Sequence, residues 1–348
     1  DLPRIVHRAA KIAMTPPTGP VFLSLPGDVL NAEAGIDLGK PTRIDTRNRP
    51  SDDVLEKLAD LILRAKKPCI ICGDEIVKSN ALDVAAKFAE TLGAAVYQQS
   101  VAYGAHFISK RPCYIGGLSR DQADVRNVLS AYDMMISIGA DPLRMSVYSE
   151  IEPLPDGMMV VQLGLLDWEM GKNFPADMAV RGDIRESLKA LIPVLKDKGG
   201  DALVRKATSA IKDIELRNWS ATRLAMGESL ASVRDSIPID PNWMTWQMVE
   251  NLPEHAVMVH EGLTTTWQMH KMLAYKDRYS YHGFASGGIG WAVPAAIGVQ
   301  LADLSRPVCA VIGDGSSMYS IQALWTAANM KLPMTYVICN NKSYRIIK

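Results

Sequence analysis

Short, continuous apolar runs separated by stretches of helical spacing restrict this chain to one broad class of fold. The runs include Cys69-Ile70-Ile71-Cys72, Ala94-Ala95-Val96-Tyr97, Met134-Met135-Ile136-Ser137-Ile138 and Met158-Met159-Val160-Val161-Gln162-Leu163. A strand that is apolar on both faces must be covered on both, and helices between such strands supply the covers. The pattern therefore predicts a doubly wound, parallel α/β sheet over about residues 53–198. The alternation resumes from 236, with strands expected at His255–Val259, near Tyr279–Phe284, at Val308–Ile312 and at Thr335–Cys339. Charged, helical-looking sequence over 199–235 joins the two units.

Ahead of them, Ile5, Ala9 and Ile12 make a helical stripe over residues 3–14, behind a proline that suits a first helical turn. The Pro16-Pro17-Thr18-Gly19 punctuation leads into Pro20-Val21-Phe22-Leu23-Ser24-Leu25-Pro26, an apolar run of strand length. One helix and one strand cannot enclose a core. Residues 1–30 thus read as the end of a domain, and 31–52 as a polar connector.

Charge narrows the range of partners. The 348 residues carry 38 Lys and Arg against 38 Asp and Glu, with no basic run, so nothing attracts a phosphate backbone and nucleic-acid binding is excluded. No apolar stretch reaches the ~18 residues of a membrane span, and the first residues lack a signal-peptide pattern. The expected setting is cytoplasmic, with small molecules and further copies of the chain as partners. The five cysteines (Cys69, Cys72, Cys113, Cys309, Cys339) lie mostly in apolar runs and are expected as buried thiols in a reducing compartment.

The most informative stretch is Val308–Tyr344. An apolar strand runs into Gly313-Asp314-Gly315-Ser316-Ser317; a helix follows with Ile321, Leu324, Trp325 and Ala328 at helical spacing, and a second strand ends at Asn340-Asn341. Adjacent parallel strands present their carboxyl ends on one edge, so Asp314 and Asn341 are expected to project into one crevice as hard oxygen donors. The amides of Gly315 and Ser316 point at any anion there. A carboxylate, an amide oxygen and a backbone carbonyl leave half of a Mg²⁺ shell open for phosphate oxygens and water. Together they ask for a metal-bound diphosphate.

Other features are less decisive. Ala285-Ser286-Gly287-Gly288-Ile289-Gly290-Trp291 follows a strand and opens a helix, but lacks the third glycine of a dinucleotide fingerprint in register, leaving a nicotinamide-dependent dehydrogenase as the second reading. The hydroxyls of Glu261-Gly262-Leu263-Thr264-Thr265-Thr266 either donate to phosphate or cap the next helix. Cys69-x-x-Cys72 reads as core packing within a strand rather than as a zinc or redox half-site. Of the histidines, His260 and His282 are expected nearest the site, and His255 and His270 elsewhere.

Gly313-Asp314-Gly315, with 24 residues before Asn340-Asn341, resembles the thiamine-diphosphate signature. Together with Gly287–Gly290, Pro294–Ala302 and Ala323–Ala328, it makes the chain similar to the thiamine-diphosphate-dependent 2-keto-acid decarboxylase and acetolactate synthase family, densely over 255–348 and in layout over 1–198. The resemblance implies a three-domain architecture of doubly wound sheets with incomplete first and third domains. Residues 1–30 would end the pyrimidine-binding domain, 53–198 would be the central domain, and 236–348 the first part of the diphosphate- and Mg-binding domain.

It also implies roles. Asp314, Asn341 and the Ser343 carbonyl would bind Mg²⁺; Gly315, Ser316, Leu263 and Thr264 would hold the diphosphate. Ile289 would wedge under the bent cofactor, and the Gly287 carbonyl would accept from its aminopyrimidine. The implied activity is cleavage or formation of a C–C bond on a 2-keto acid, benzoylformate decarboxylase-like or acetolactate synthase-like, in a homodimer or homotetramer with the site between subunits. The family's catalytic glutamate belongs to the pyrimidine-binding domain, so none of these residues is assigned that role and the fragment alone is expected to be inactive. Ser146 stands near the place of a histidine used by some members, and Lys342 and Arg345 stand where those have glycines. FAD on the central domain is known in the family, though no motif here decides it. A catalytically inactive relative is a further alternative.

Overall fold

The computed structural model describes every residue except 16, 17, 41, 147, 284 and 348, and only the backbone of 346. Helix α1 (Leu2–Met14) has a proline in its first turn and buries none of its residues. The strand expected at 20–26 does not form. That segment is irregular and exposed, because an apolar run becomes a strand only when its N–H and C=O groups find a ladder, and none of the described strands pairs with it. Pro16-Pro17 lies outside the described residues. A short α2 (Gly27–Asn31) precedes the exposed connector.

The first sheet is built by α3 (Asp52–Arg64), β1 (Pro68–Cys72), α4 (Asp74–Lys78), α5 (Leu82–Leu92), β2 (Ala95–Gln98), β3 (Tyr114–Gly117), α6 (Gln122–Leu129), β4 (Met134–Ile138), β5 (Met159–Gly164), β6 (Met178–Arg181) and α7 (Ile184–Glu215). Its six strands are all parallel, in the order β3-β2-β1-β4-β5-β6. The α/β expectation holds, and the four strands read from apolar runs are in place to within a residue. The edge strands β3 and β6 escaped, since Tyr114-Ile115-Gly116-Gly117 and Met178-Ala179-Val180-Arg181 are half-exposed and need no continuous apolar run. Ile70, Val96 and Ile136 pack against Leu58, Phe88 and Leu188 on one face; Cys69, Ile71, Tyr97 and Met135 pack with Leu129 and Val160 on the other. Cys69 and Cys72 are fully buried in these two different clusters. A side chain three positions along a strand points to the opposite face, which separates the two thiols. Val147, in the stretch around Ser146, lies outside the described residues.

α7 starts on Asp183, whose carboxylate accepts the Glu186 amide at 3.0 Å, and is broken at Gly200 (φ +48°, ψ −147°). α8 (Trp219–Leu230) and α9 (Pro241–Glu250) lead to the second unit: β7 (Val257–Glu261), α10 (Met269–Met272), β8 (Tyr281–Gly283), α11 (Ala292–Ala302), β9 (Val308–Gly313), α12 (Asp314–Met318), α13 (Ala323–Asn329) and β10 (Met334–Cys339). Its four strands are parallel, in the order β10-β9-β7-β8. Phe284, which the expected strand included, lies outside the described residues. The loop after β2 stitches the sheets together: the Gly283 amide donates to the Tyr103 carbonyl, and Ser109 and Tyr275 exchange two bonds, all at 2.9 Å. No described helix is long and apolar enough to cross a membrane.

Candidate functional site

Register brings the candidate residues to one edge. Cys339 lies opposite Gly313 across β10 and β9, and Ile312 opposite Glu261 across β9 and β7. The chain therefore leaves three adjacent strand tips side by side, into Asn340–Ser343, Asp314–Ser316 and Gly262–Thr264. Two of these exits turn through non-glycine residues in the left-handed region, Leu263 at φ +45° and Lys342 at φ +53°. Such backbone is uncommon outside glycine and clusters at functional loops.

The side chains are arranged as follows. Asp314 is half-buried, and its carboxylate accepts no hydrogen bond among the described residues. Asn341 is exposed; its Oδ1 accepts the Ser343 amide at 3.0 Å, while the Asn340 Oδ1 accepts the Lys342 amide at 2.9 Å. A carbonyl oxygen has two lone pairs, so Asn341 keeps one for a cation. Ser316 is buried at the start of α12, and a Cβ placed on Gly315 or Gly287 would meet no heavy atom within 4 Å. Leu263, Thr264 and Ile289 are half-buried. Among the described residues no three His, Cys, Asp or Glu side chains converge on one point. The donors at hand are a carboxylate, an amide oxygen and a main-chain carbonyl, the hard oxygens that Mg²⁺ takes together with phosphate.

The glycine turn is held to this edge by a residue that sequence reading passed over. Glu261, 1% exposed at the tip of β7, accepts the Gly290 amide at 2.5 Å and the Ala292 amide at 2.8 Å. Ser320 donates to the Gly290 carbonyl from the other side. Gly290 (φ +90°) has no room for a side chain, because its Cβ would lie 2.5 Å from that of Tyr319. The available signal was an acid at a strand tip followed directly by glycine.

The Thr-rich loop divides between two tasks. Thr266 is buried and bonds His260 Nε2, and a Cβ at Gly262 would collide with its hydroxyl. Thr264 stays at the site edge. His260 continues through its Nδ1 to the Tyr281 hydroxyl at 2.9 Å, and His270 bonds Tyr275. Burial pushes His260 down to about 3 and His270 to about 4, so both are neutral imidazoles. These histidines and tyrosines serve as packed, hydrogen-bonded structure behind the site. His282 is half-buried on β8 and its pKa is lowered by burial.

Comparison with known proteins points in one direction. Residues 55–191 match the family described as thiamine pyrophosphate enzyme, central domain, and residues 262–348 match thiamine pyrophosphate enzyme, C-terminal TPP binding domain. Benzoylformate decarboxylase of Pseudomonas aeruginosa is 28% identical over 353 residues, covering 100% of this chain and 62% of its own length. A protein of Methanococcus aeolicus named probable acetolactate synthase large subunit is 26% identical, covering 100% of this chain and 59% of its own length. Among solved structures, a Mycobacterium smegmatis enzyme described as thiamin diphosphate-dependent superposes with a TM-score of 0.84 at 31% identity, covering 100% of this chain and 64% of that one. The chain thus spans about three fifths of the relatives it matches.

Proposed function

We propose, from the premise that this chain belongs to the thiamine pyrophosphate enzymes and carries their central and C-terminal TPP binding domains, that the whole protein cleaves or forms a C–C bond beside the keto group of a 2-keto acid. The observation that supports it most directly is the alignment of three strand tips, which delivers Asp314, Asn341 and the Leu263–Thr264 loop to one edge.

Thiamine diphosphate, when bound, supplies the electron sink for decarboxylation or ligation. The chain's own residues hold and orient it. Asp314, the free lone pair of Asn341 and the Ser343 carbonyl would hold Mg²⁺, whose charge would anchor the diphosphate. Gly315 and Ser316 add main-chain amides, with Leu263 and Thr264 closing from β7. The bare surfaces at Gly315 and Gly287 would allow close approach of the cofactor, and the half-buried Ile289 would be the bulky side chain that enforces its bend. The Gly287 carbonyl would accept a hydrogen bond from the aminopyrimidine. In this reading the protein is a cytoplasmic homodimer or homotetramer with its sites between subunits. The dehydrogenase reading finds no support, since both domain families that the chain matches are thiamine pyrophosphate families and none of the relatives named above is described as nicotinamide-dependent.

Calorimetry on the full-length protein tests this: thiamine diphosphate binds only when Mg²⁺ is present, and the loaded enzyme releases CO₂ from, or ligates, at least one of a panel of aliphatic and aromatic 2-keto acids. Metal-independent binding, or no turnover of any panel member by the loaded enzyme, overturns the proposal.

A further inference from the structure

The order β3-β2-β1-β4-β5-β6 reverses its winding between β1 and β4. At such a switch point dinucleotides lie outside the carboxyl ends of the strands, with their phosphates on a glycine turn and free helix amides. The central sheet has the outward signs of such a site. Gly73, Gly139 and Gly164 stand at the ends of β1, β4 and β5, and a crevice between them is lined by Glu75, Gln99, Tyr103, Asp141 and Arg144.

Six of the main-chain amides around it are already taken. The Gly73 amide donates to the Ile138 carbonyl and the Glu75 amide to the Gly139 carbonyl, both at 3.1 Å; the Gly139 amide donates to Leu163 at 2.8 Å. The Asp141 amide is taken by Gln99 Oε1 at 3.1 Å. The two amides that follow β5, on Leu165 and Leu166, donate to the carboxylate of Glu75 at 2.5 and 3.1 Å. The glycines clear space for these internal groups. A Cβ on Gly73 would lie 2.4 Å from the Ala140 Cα, one on Gly139 2.5 Å from the Glu75 Cβ, and one on Gly164 2.9 Å from Glu75 Oε2. The crevice that is left holds 90 Å³. Roughly 300 Å³ or more is needed for a small organic ligand, and a water takes about 30 Å³.

We infer that Glu75, 5% exposed, is the built-in anion of this crevice and closes the central sheet to FAD, nicotinamide and adenine nucleotides. Its carboxylate occupies the two amides at the end of β5, while Asp74 at the rim is paired with Lys78 at 2.6 Å and Asp141 shares the rim with Arg144. The domain keeps the architecture of a nucleotide binder and works as a scaffold, joined to the second sheet through the 101–109 loop. This inference is independent of the thiamine-diphosphate reading.

The test uses full-length protein saturated with thiamine diphosphate and Mg²⁺, so that site cannot answer for the crevice. FAD and ADP are titrated by calorimetry, with hydrogen exchange followed over 73–78, 139–145 and 164–170. The expected result is no ligand-dependent change in those three segments. Saturable FAD or ADP binding that protects them overturns the inference. In Glu75→Ala, the Leu165 and Leu166 amides exchange about tenfold faster or more, and inorganic phosphate restores protection that it does not confer on the unmodified protein. A folded Ala variant indifferent to phosphate also overturns it. Should Glu75→Ala not fold, Glu75→Gln keeps the shape, turns one acceptor into a donor, and speeds exchange at one of the two amides; unchanged exchange there counts against the inference.

Discussion

The Glu261 carboxylate accepts the main-chain amide of Gly290 at 2.5 Å, tying the tip of β7 to the turn that opens α11. With the Ala292 amide at 2.8 Å it satisfies two buried donors that have no helical partner. Glu261→Ala leaves both without an acceptor. At about 1–3 kcal/mol for each of the two unsatisfied groups, urea denaturation should register a loss of about 2–6 kcal/mol, with partial recovery in Glu261→Gln. A Glu261→Ala protein as stable as the parent would show that this link does not hold the turn.

Glycines near the site separate into two kinds. Gly290→Ala forces a side chain into Tyr319 at φ +90° and should destabilise the fold by about 1–3 kcal/mol. Gly287→Ala and Gly315→Ala meet open space, so their stability should stay within about 0.5 kcal/mol of the parent while thiamine diphosphate affinity falls. Thermal melts beside cofactor titrations read the contrast; equal effects on both quantities for all three would refute it.

Asp314→Asn and Asn341→Ala remove proposed Mg²⁺ donors. Each should weaken thiamine diphosphate binding by about 10–100-fold, the worth of one charge-assisted contact, and raise the Mg²⁺ concentration needed for half-saturation. Far-ultraviolet circular dichroism should be unchanged. Unaltered metal dependence in both variants would remove these residues from the site.

Acid should destabilise the seam between the sheets. Burial holds His106 and His270 down to about 4 and His260 to about 3, while their unfolded value is near 6.5. His106 is fully buried, and neither ring nitrogen has a hydrogen-bond partner among the described residues. Between pH 6.5 and 4 the unfolded chain binds protons that the folded one excludes. Stability is therefore fully present above 6.5 and is lost as pH falls, by up to about 1.4 kcal/mol per pH unit for each histidine. Denaturation at several pH values should show this slope, and His106→Phe should flatten it; an unchanged slope would exclude His106 as a contributor.

All five thiols are buried and free, and burial pushes Cys69 and Cys72 far above the ordinary thiol range and Cys309 and Cys339 up to about 11. A thiol-specific reagent at neutral pH should label none of them until denaturant is added. Rapid labelling of Cys69 or Cys72 in the native protein would contradict the packing described.

Central strands were legible because burial on both faces leaves a continuous apolar trace, as at Ile70 and Ile136. Edge strands leave none, which hid β3 and β6, and the exposed run at 20–26 shows that composition without a ladder partner is no strand. The candidate site followed the same division. Glycines, an acid and paired asparagines at strand ends marked Asp314 and Asn341 as candidates, whereas Glu261 and Glu75 look like any acid near a glycine until the amides they accept, 29 and 90 residues away, are seen.

Local chemistry settled what adjacent residues settle among themselves: strand or helix, the turn at Gly313–Gly315, the absence of a basic surface run. It could not settle which carboxylate is buried on which distant amide. Hydrogen-bond partners far apart in the chain meet only through strand order and register, and those are set by the packing of whole layers. A buried carboxylate can brace a glycine turn from a strand tip, as Glu261 does, or take the amides beyond another strand from a helix, as Glu75 does, and only the folded sheet distinguishes the two.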